Sequence, residues 1–362
     1  MRVLICPDKF AGTLTAVEAA TAIAEGWRAV RPSDQIVQVP LADGGEGTTD
    51  VLAHARPDAA VQTVEVADAR GIATDARWVS LPDGTAVIEV AQACGLSVLD
   101  DGDRDPLRTT TYGVGQLLAA VLATAPSRVV VGLGGSATVD GGAGMVAALG
   151  GHGLRRADGN AVKVGGRWVA EVVRVAPLDL DGTPPVVVAS DVTNPLLGPA
   201  GAAAVFGPQK GADADAVAEL EAALAGWADV VERTLPGGPW RDRPGAGAAG
   251  GLGFALMAFL SAEVRSGAAV IGDLIGLDPA HADVVVTGEG KLDAQTLGGK
   301  GPDEIRRRAA VAGARTVAVA GVIADDAGRG FDVVEDLGPE GLTRPYESAV
   351  AAASRAARRI AG

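Results

Sequence analysis

Residues 129–142 read VVVGLGGSATVDGG, three β-branched residues running straight into a glycine-rich turn that carries a hydroxyl and a carboxylate. A short, wholly apolar run suits a parallel strand covered on both faces. The pattern recurs along the chain. Val3–Cys6 runs into Pro7-Asp8-Lys9, Ile36–Val39 into Ala42–Gly47, Val186–Ala189 into Ser190–Pro195, and Val284–Val286 into a turn over Thr287–Asp293. Val317–Ala320 reads as a further strand of this kind. Helix candidates lie between them. Thr15-Ala16-Val17-Glu18 is a capping-box pattern that opens a helix to about Arg28. The others are Gly115–Ala123, Ala214–Thr234, Leu252–Arg265, Asp303–Val311 and Tyr346–Ile360. Alternation of strand and helix predicts an α/β fold with mainly parallel sheet.

Near residues 62–90 the pattern changes. Val61–Val66, Arg77–Ser80 and Ala86–Val90 are strands joined by short turns such as Pro82-Asp83-Gly84, which predicts antiparallel pairing. Pro236–Gly253 is a second irregular zone, and Gly245–Gly250 within it reads as a flexible turn into a helix. The expected organisation is two α/β lobes, one built from residues 1–62 and 280–362 and the other inserted as residues 63–279.

Of 362 residues, 48% are hydrophobic and 21% charged, which sets aside a disordered or fibrous chain. Glycine, at 51 residues, is about twice its usual share of ~7%. Aromatics make up 3%, too few for base stacking to be a theme. The net charge of −14 repels phosphate backbones and anionic membranes, so neither nucleic acid nor membrane is an expected partner. Arg306-Arg307-Arg308, the longest basic run, reads as the solvated face of a helix. Cys6 and Cys94 are too few for a disulfide framework, and His54, His152 and His281 lack zinc-ligand spacing. The chain opens directly on a strand-like segment, so the expected compartment is the cytoplasm. Oligomeric state stays open at this point.

Ligands of open α/β sheets bind beyond the carboxyl ends of the strands. Turns there that mix glycine with carboxylate suggest an anionic ligand held with a divalent cation. Glycine lets backbone N–H groups approach phosphate, and a following helix N-terminus adds a favourable dipole. Carboxylates hold Mg²⁺, which bridges phosphates. Lysine supplies a compact cation for a transferring phosphoryl group, and a further aspartate can take the proton of an attacking hydroxyl. On this logic Asp8, Lys9, Asp191, Asp293 and Lys300 are the candidate catalytic residues. Candidate binding residues are Asp43, Gly44, Gly45, Glu46, Gly134, Gly135, Ser136, Asp140, Asn194, Lys210 and Glu289. Asp191, Glu289 and Asp293 are candidate metal ligands, and which of Asp191 and Asp293 would be base rather than ligand stays open. Each has a plain structural counterpart. Asp43 can belong to turn chemistry, Ser136 and Asp140 can cap a helix, and Asn194 can start the turn before Pro195. The five tryptophans, His152 and Cys94 read as packing residues.

Gly132-x-Gly134-x-x-Ala137 also fits a dinucleotide fingerprint, which carries the alternative of an NAD(P)-dependent oxidoreductase. Its ribose acid would be Asp158, which sits in the turn-like Ala157–Asn160 rather than at a strand end, and this counts against it. A third reading is a non-catalytic ligand-binding protein of the same fold. No Walker A motif is present, and the protein-kinase loop set is absent.

Cys6–Phe10 (CPDKF), Ala42–Thr48 (ADGGEGT), Gly132–Met145 (GLGGSATVDGGAGM), Ser190–Gly198 (SDVTNPLLG) and Phe206–Gly211 (FGPQKG) together resemble the type 1 glycerate kinase family. So do Pro244–Leu260, Thr287–Thr296 (TGEGKLDAQT) and Leu297–Gly301 (LGGKG), in family order over nearly the whole chain. The resemblance implies two α/β domains, one Rossmann-like, with the site in the cleft between them. It implies ATP- and Mg²⁺-dependent phosphorylation of D-glycerate to 2-phosphoglycerate. Lys9 and Lys300 would neutralise developing charge, and the glycine loops near residues 45 and 134 would cradle phosphate and the glycerate carboxylate. Two positions depart from the family pattern. Ala11 stands where a lysine is common, and Val139 where a polar asparagine is usual.

Overall fold

The fold is that of a computed structural model, which describes residues 1–10, 12–150, 153–179, 182–293, 301–324 and 327–360. In chain order the elements begin with β1 (Arg2–Ile5), α1 (Ala16–Val30), β2 (Gln35–Gln38), α2 (Thr48–Ala55), β3 (Ala60–Ala67), β4 (Ala73–Ser80) and β5 (Thr85–Glu89). Next come α3 (Ala91–Cys94), α4 (Tyr112–Leu122), β6 (Arg128–Gly132), α5 (Ala143–Gly150), β7 (Val186–Ala189), α6 (Ala202–Phe206), α7 (Ala214–Thr234) and α8 (Ala248–Leu260). The chain closes with β8 (Glu263–Arg265), α9 (Gly267–Leu274), β9 (Val284–Leu292), α10 (Gly301–Ala312), β10 (Arg315–Ile323), β11 (Val333–Asp336) and α11 (Pro345–Arg359). No helix among the described residues is long and apolar enough to cross a membrane.

The chain divides into two units. The first comprises Met1–Asp43, Asp50–Pro57 and Ser266–Gly362, and the second Gly44–Thr49 and Asp58–Arg265. In the first unit five strands run in the order β11-β10-β9-β1-β2, each pair parallel. Val3, Ile5, Val284, Val286, Val317 and Val319 are buried on one core with Trp27, Ile23 and the alanines of α1 and α11. Burying each such aliphatic side chain contributes about 1.5–3 kcal/mol. The Thr15–Glu18 capping box forms as the sequence predicts. Thr15 Oγ1 accepts from Glu18 N at 3.2 Å, and Thr15 N donates to Glu18 Oε2 at 2.9 Å.

Small residues let α1 and α11 approach closely. A Cβ on Gly26 would stand 2.1 Å from the carbonyl oxygen of Val350, and Ser354 Oγ donates to Gly26 O at 2.9 Å. Helix propensity alone would favour alanine at an interior helix position by about 1 kcal/mol. The contact reverses the sign. Gly26→Ala is expected to destabilise the protein by about 1–3 kcal/mol, read as a lower urea midpoint at unchanged slope.

In the second unit six strands lie in the order β3-β4-β5-β6-β7-β8. The β3–β4 and β4–β5 pairs are antiparallel, as the hairpin turns predict, and β5 through β8 are parallel. Its core takes in Ile88, Val129, Val131, Val188, Leu117, Trp227 and Phe254.

Several local expectations are corrected. Thr287–Leu292 is not a turn. Those residues continue β9 because β10 offers a parallel partner along their whole length, with Ala320 opposite Glu289 and Ile323 opposite Leu292. The helix expected over Leu252–Arg265 stops at Leu260. Ser261 turns left-handed at φ 51°, and Glu263–Arg265 becomes β8 against β7. The Gly245–Gly250 segment is packed, not flexible. A Cβ on Gly250 would lie 1.9 Å from the carbonyl oxygen of Thr138, and Ala249, Gly250 and Gly251 all hold positive φ inside α8. Short elements such as β11 and α9 carried too little periodicity to be read. Ala11, His152 and the stretch 297–300 with its candidate Lys300 lie outside the described residues.

Candidate active site

The order of strands in the first unit sets the position of its polar edge. From β1 the chain passes to β2 on one side, whereas β9, β10 and β11 fill the other. The order therefore reverses between β1 and β9, and such a reversal is where ligands bind at the carboxyl ends of strands. Asp8 and Glu289 stand on either side of it. The β1–β9 ladder continues beyond β1, with Cys6 N donating to Val286 O at 2.7 Å and Asp8 N to Gly288 O at 2.8 Å. Thr287 Oγ1 donates to Cys6 O at 3.0 Å, a buried tie that fixes the same register. Gly288 has to be glycine, since a Cβ there would lie 2.2 Å from Val319 O.

Asp8 is half-buried, and its carboxyl is pushed up to about 8. Desolvation is the largest cause, followed by the charge of Asp43, with Glu289 adding to it. The backbone N–H of Lys9, 2.6 Å from Asp8 Oδ1, and the Lys9 charge pull the other way. The structure thus brings together Asp8, Lys9, Asp43 and Glu289. Asp293 follows β9, and its Oδ2 lies 3.1 Å from Lys291 Nζ. Among the described residues no three His, Cys, Asp or Glu side chains form a group that could hold a metal by themselves.

In the second unit the glycine turns meet each other. A Cβ on Gly132 would lie 2.1 Å from Gly44 O, and one on Gly134 would lie 2.3 Å from Gly45 Cα. Gly134 N donates to Gly44 O at 3.3 Å. Gly44 itself holds φ 85°, with Ala189 O 2.4 Å from where a Cβ would sit. Here glycine is required by close approach of backbones rather than by turn type alone. Glu89, 1% exposed at the end of β5, accepts from Gly47 N at 3.0 Å and Thr49 N at 3.1 Å. Its carboxylate caps the first turn of α2 and holds the Gly44–Thr49 segment in place. Glu46 accepts from Ser97 Oγ at 2.5 Å.

The loop after β6 is anchored on nearly every side. Leu96 N donates to Gly135 O and Ala137 N to Cys94 O, both at 2.7 Å, and Thr109 Oγ1 donates to Ala137 O at 2.9 Å. Lys210, 2% exposed, places Nζ 3.0 Å from Ser136 Oγ and 2.8 Å from Thr138 O. Trp227 Nε1 donates to Gly141 O at 2.9 Å, and Gly141 N donates to Gly250 O at 3.0 Å. By contrast, the amides of Gly135 and Ser136 meet no hydrogen-bond acceptor among the described residues, and Gly135 is exposed at φ 74°. Adjacent amides offered by a left-handed residue are the elements of an anion-binding nest.

Asp140, expected as a ligand contact, faces inward. It is fully buried and accepts from Thr111 N at 2.8 Å, Gly142 N at 3.0 Å and Gly144 N at 3.2 Å. The hydroxyls of Thr110 and Thr111 complete the set at 3.3 and 3.0 Å. Asn194 likewise closes its own turn, with Nδ2 donating to Ala200 O at 2.8 Å and its carbonyl accepting from Gly247 N at 2.9 Å. Asp191 follows β7 and is half-buried, next to Ser190, whose Oγ accepts from Val192 N at 3.2 Å. Asp158 sits in an exposed turn with Asn160, away from any strand end, as the case against a ribose acid required. Val139 is fully buried, so an apolar residue there suits its surroundings. Glu89 and Thr111 were missed. The signal for Glu89 was a lone carboxylate inside the apolar run Ala86–Val90.

The profile of the Glycerate kinase family matches residues 3–357. The chain is 39% identical to Glycerate kinase of Bacillus subtilis (strain 168), with 100% of this chain and 97% of that protein covered. It is 40% identical to Glycerate 2-kinase of Escherichia coli (strain K12), covering 92% and 90%. A crystal structure of a candidate glycerate kinase 2 from Salmonella typhimurium LT2 is similar at a TM-score of 0.83 and 38% identity, over 100% of this chain and 98% of that one. A family match across nearly the whole sequence, joined to full-length relatives and a full-length structural likeness, establishes that the chain belongs to the glycerate kinase family and is a small-molecule kinase.

Proposed function

We propose that the protein transfers a phosphoryl group from ATP to D-glycerate, giving 2-phosphoglycerate, with Mg²⁺ as cofactor and in the cytoplasm. The observation that carries this reading is the juxtaposition of Asp8, Asp43 and Glu289 at the strand-order reversal of a parallel sheet. As a carboxylate beside the metal-ligand candidate Glu289, Asp8 would accept the proton of the attacking hydroxyl. Lys9 follows it directly in the chain and supplies a compact positive charge for the phosphoryl oxygens. The free amides of Gly135 and Ser136 suit the phosphates of the nucleotide, where backbone donors need no charge reorganisation. Lys300 remains a further candidate phosphate contact.

The donor set fits Mg²⁺. Its members are hard carboxylate oxygens, and the crowding that raises the Asp8 pKa is the repulsion a dication relieves. Mg²⁺ is usually held by one or two carboxylates together with substrate phosphates, so no complete protein cage is needed. Glu289 and Asp293 are the residues of the first unit that would hold it. When bound, the ion neutralises charge on the phosphates.

The test is ADP release coupled to a spectroscopic readout, with D-glycerate and MgATP, followed by NMR of the product. Turnover with a 2-phosphoglycerate spectrum is expected. Well-folded protein that turns over no glycerate with any nucleotide in Mg²⁺ removes the substrate assignment. A 3-phosphoglycerate spectrum instead moves the reaction to the other hydroxyl.

A further inference from the structure

We propose that Lys210 is a positioning residue, its buried ammonium setting the shape of the Gly134–Thr138 loop from beneath instead of meeting a substrate. The inference rests on reading that loop as the one that holds phosphate.

A surface lysine costs nothing to hydrate, whereas a lysine 2% exposed has given up its water. Such a group persists only where it forms hydrogen bonds that the fold depends on. Lys210 forms two, and both go to one short stretch of loop, Ser136 Oγ and Thr138 O. They lie on either side of Ala137, whose own N–H and C=O are held by Cys94 and Thr109. Ser136 and Thr138 are themselves buried, so this ammonium faces the inside of the loop. The residues that stay exposed, Gly134 in part and Gly135 fully, are the ones it does not touch.

The loop needs such a strut. Gly135, Gly141 and Gly142 hold positive φ, and glycine-rich backbone loses more entropy on ordering than any other. Lys210 in turn is fixed by a one-turn 3₁₀ segment, Pro208–Lys210, that ends on left-handed Gly211. A Cβ on Gly211 would lie 2.3 Å from Arg104 O, so the segment that carries the lysine packs closely against the backbone at Arg104. Burial pushes the ammonium down to about 8 and the Asp140 carboxyl up, although the Asp140 charge favours the protonated lysine. Desolvation therefore outweighs the charges of Cys94 and Asp140 at Lys210, and outweighs the hydrogen bonds from Thr111, Gly142 and Gly144 at Asp140.

The experiment compares full-length wild type with Lys210→Met, which keeps an unbranched side chain, one atom shorter, and removes the charge. In ligand-free protein, amide exchange followed by mass spectrometry is expected to rise at least tenfold in peptides covering 132–140, with other peptides of the second unit unchanged. KM for ATP is expected to rise at least tenfold, with KM for D-glycerate within about twofold. Should Lys210→Met fail to fold, Ser136→Ala, which removes one of the two acceptors and leaves the lysine in place, is expected to change the same observables in the same direction. Unchanged exchange in the ligand-free loop overturns the proposal. If the ATP KM still rises, Lys210 touches the nucleotide directly. Absence of wild-type turnover would refute the functional reading alone, since the exchange comparison still decides whether Lys210 shapes the loop.

Discussion

Asp8→Asn is expected to lower kcat/KM for D-glycerate by about 10²–10⁴-fold, the usual range for losing a positioned proton acceptor, and at the same time to stabilise the protein at alkaline pH. The second effect follows from the sign of the shift. The Asp8 carboxyl titrates at 3.8 in an unperturbed chain and about 8 in the folded one. Between those values the native state binds a proton that the unfolded state releases, so this group's contribution to stability falls as pH rises through the window and is fully lost above about 8. Asparagine does not titrate. At pH 9 the variant is spared the burial of a carboxylate beside Asp43 and Glu289, whereas at pH 4 the two proteins match closely. Asp8 is half-buried, so solvent screening reduces the gain to about 1–2 kcal/mol, or a few degrees in Tm. Thermal scans at pH 4 and pH 9 check the sign. A variant that is less stable at pH 9 and still turns over would show Asp8 to be an ordinary turn residue. The combined gain in stability and loss of activity marks strain kept for function.

Asp140→Ala is expected to cost about 3–5 kcal/mol, lowering Tm by about 10 °C, with activity falling alongside as the loop loosens. Five donor groups converge on this buried carboxylate, from Thr110, Thr111, Gly142 and Gly144. Alanine leaves them unpaired without water to replace the acceptor. The change reaches α5 as well, because the Thr111 hydroxyl that Asp140 orients also accepts from Met145 N at 3.0 Å. Asp140→Asn retains a carbonyl acceptor and should fall between the two. Chemical denaturation with unchanged m-value reads the result. A cost under 1 kcal/mol would mean that the loop relaxes around the vacancy and that its conformation is not tied to this carboxylate.

Many elements were legible because the signals were local. The capping box at Thr15, the antiparallel run over Ala60–Glu89 and the span of α7 follow from periodicity and turn chemistry over a few residues. So did the placing of glycine and carboxylate after strands β1, β6 and β7, since an apolar run ends where hydrated residues begin. The direction in which a polar side chain faces was not legible. Asp140 and Asp8 both follow a buried strand, and both are flanked by residues typical of a site. One is enclosed by the threonines before α4, and the other lies beside carboxylates from β9 and from the turn after β2.

By itself, then, the sequence determined the α/β alternation, the helix caps and the positions along the chain where polar chemistry could sit, because these depend on neighbours within one or two turns. Tertiary structure decided the rest. It lengthened β9 through residues that read as a turn, made Gly26 obligatory in a helix, turned Asp140 and Lys210 inward, and set Asp8 beside Glu289 from opposite ends of the chain. The physical reason is common to all four. A hydrogen-bond partner, a steric limit or a neighbouring charge supplied by a distant segment carries an energy equal to or larger than any local propensity, and no local window of sequence contains it.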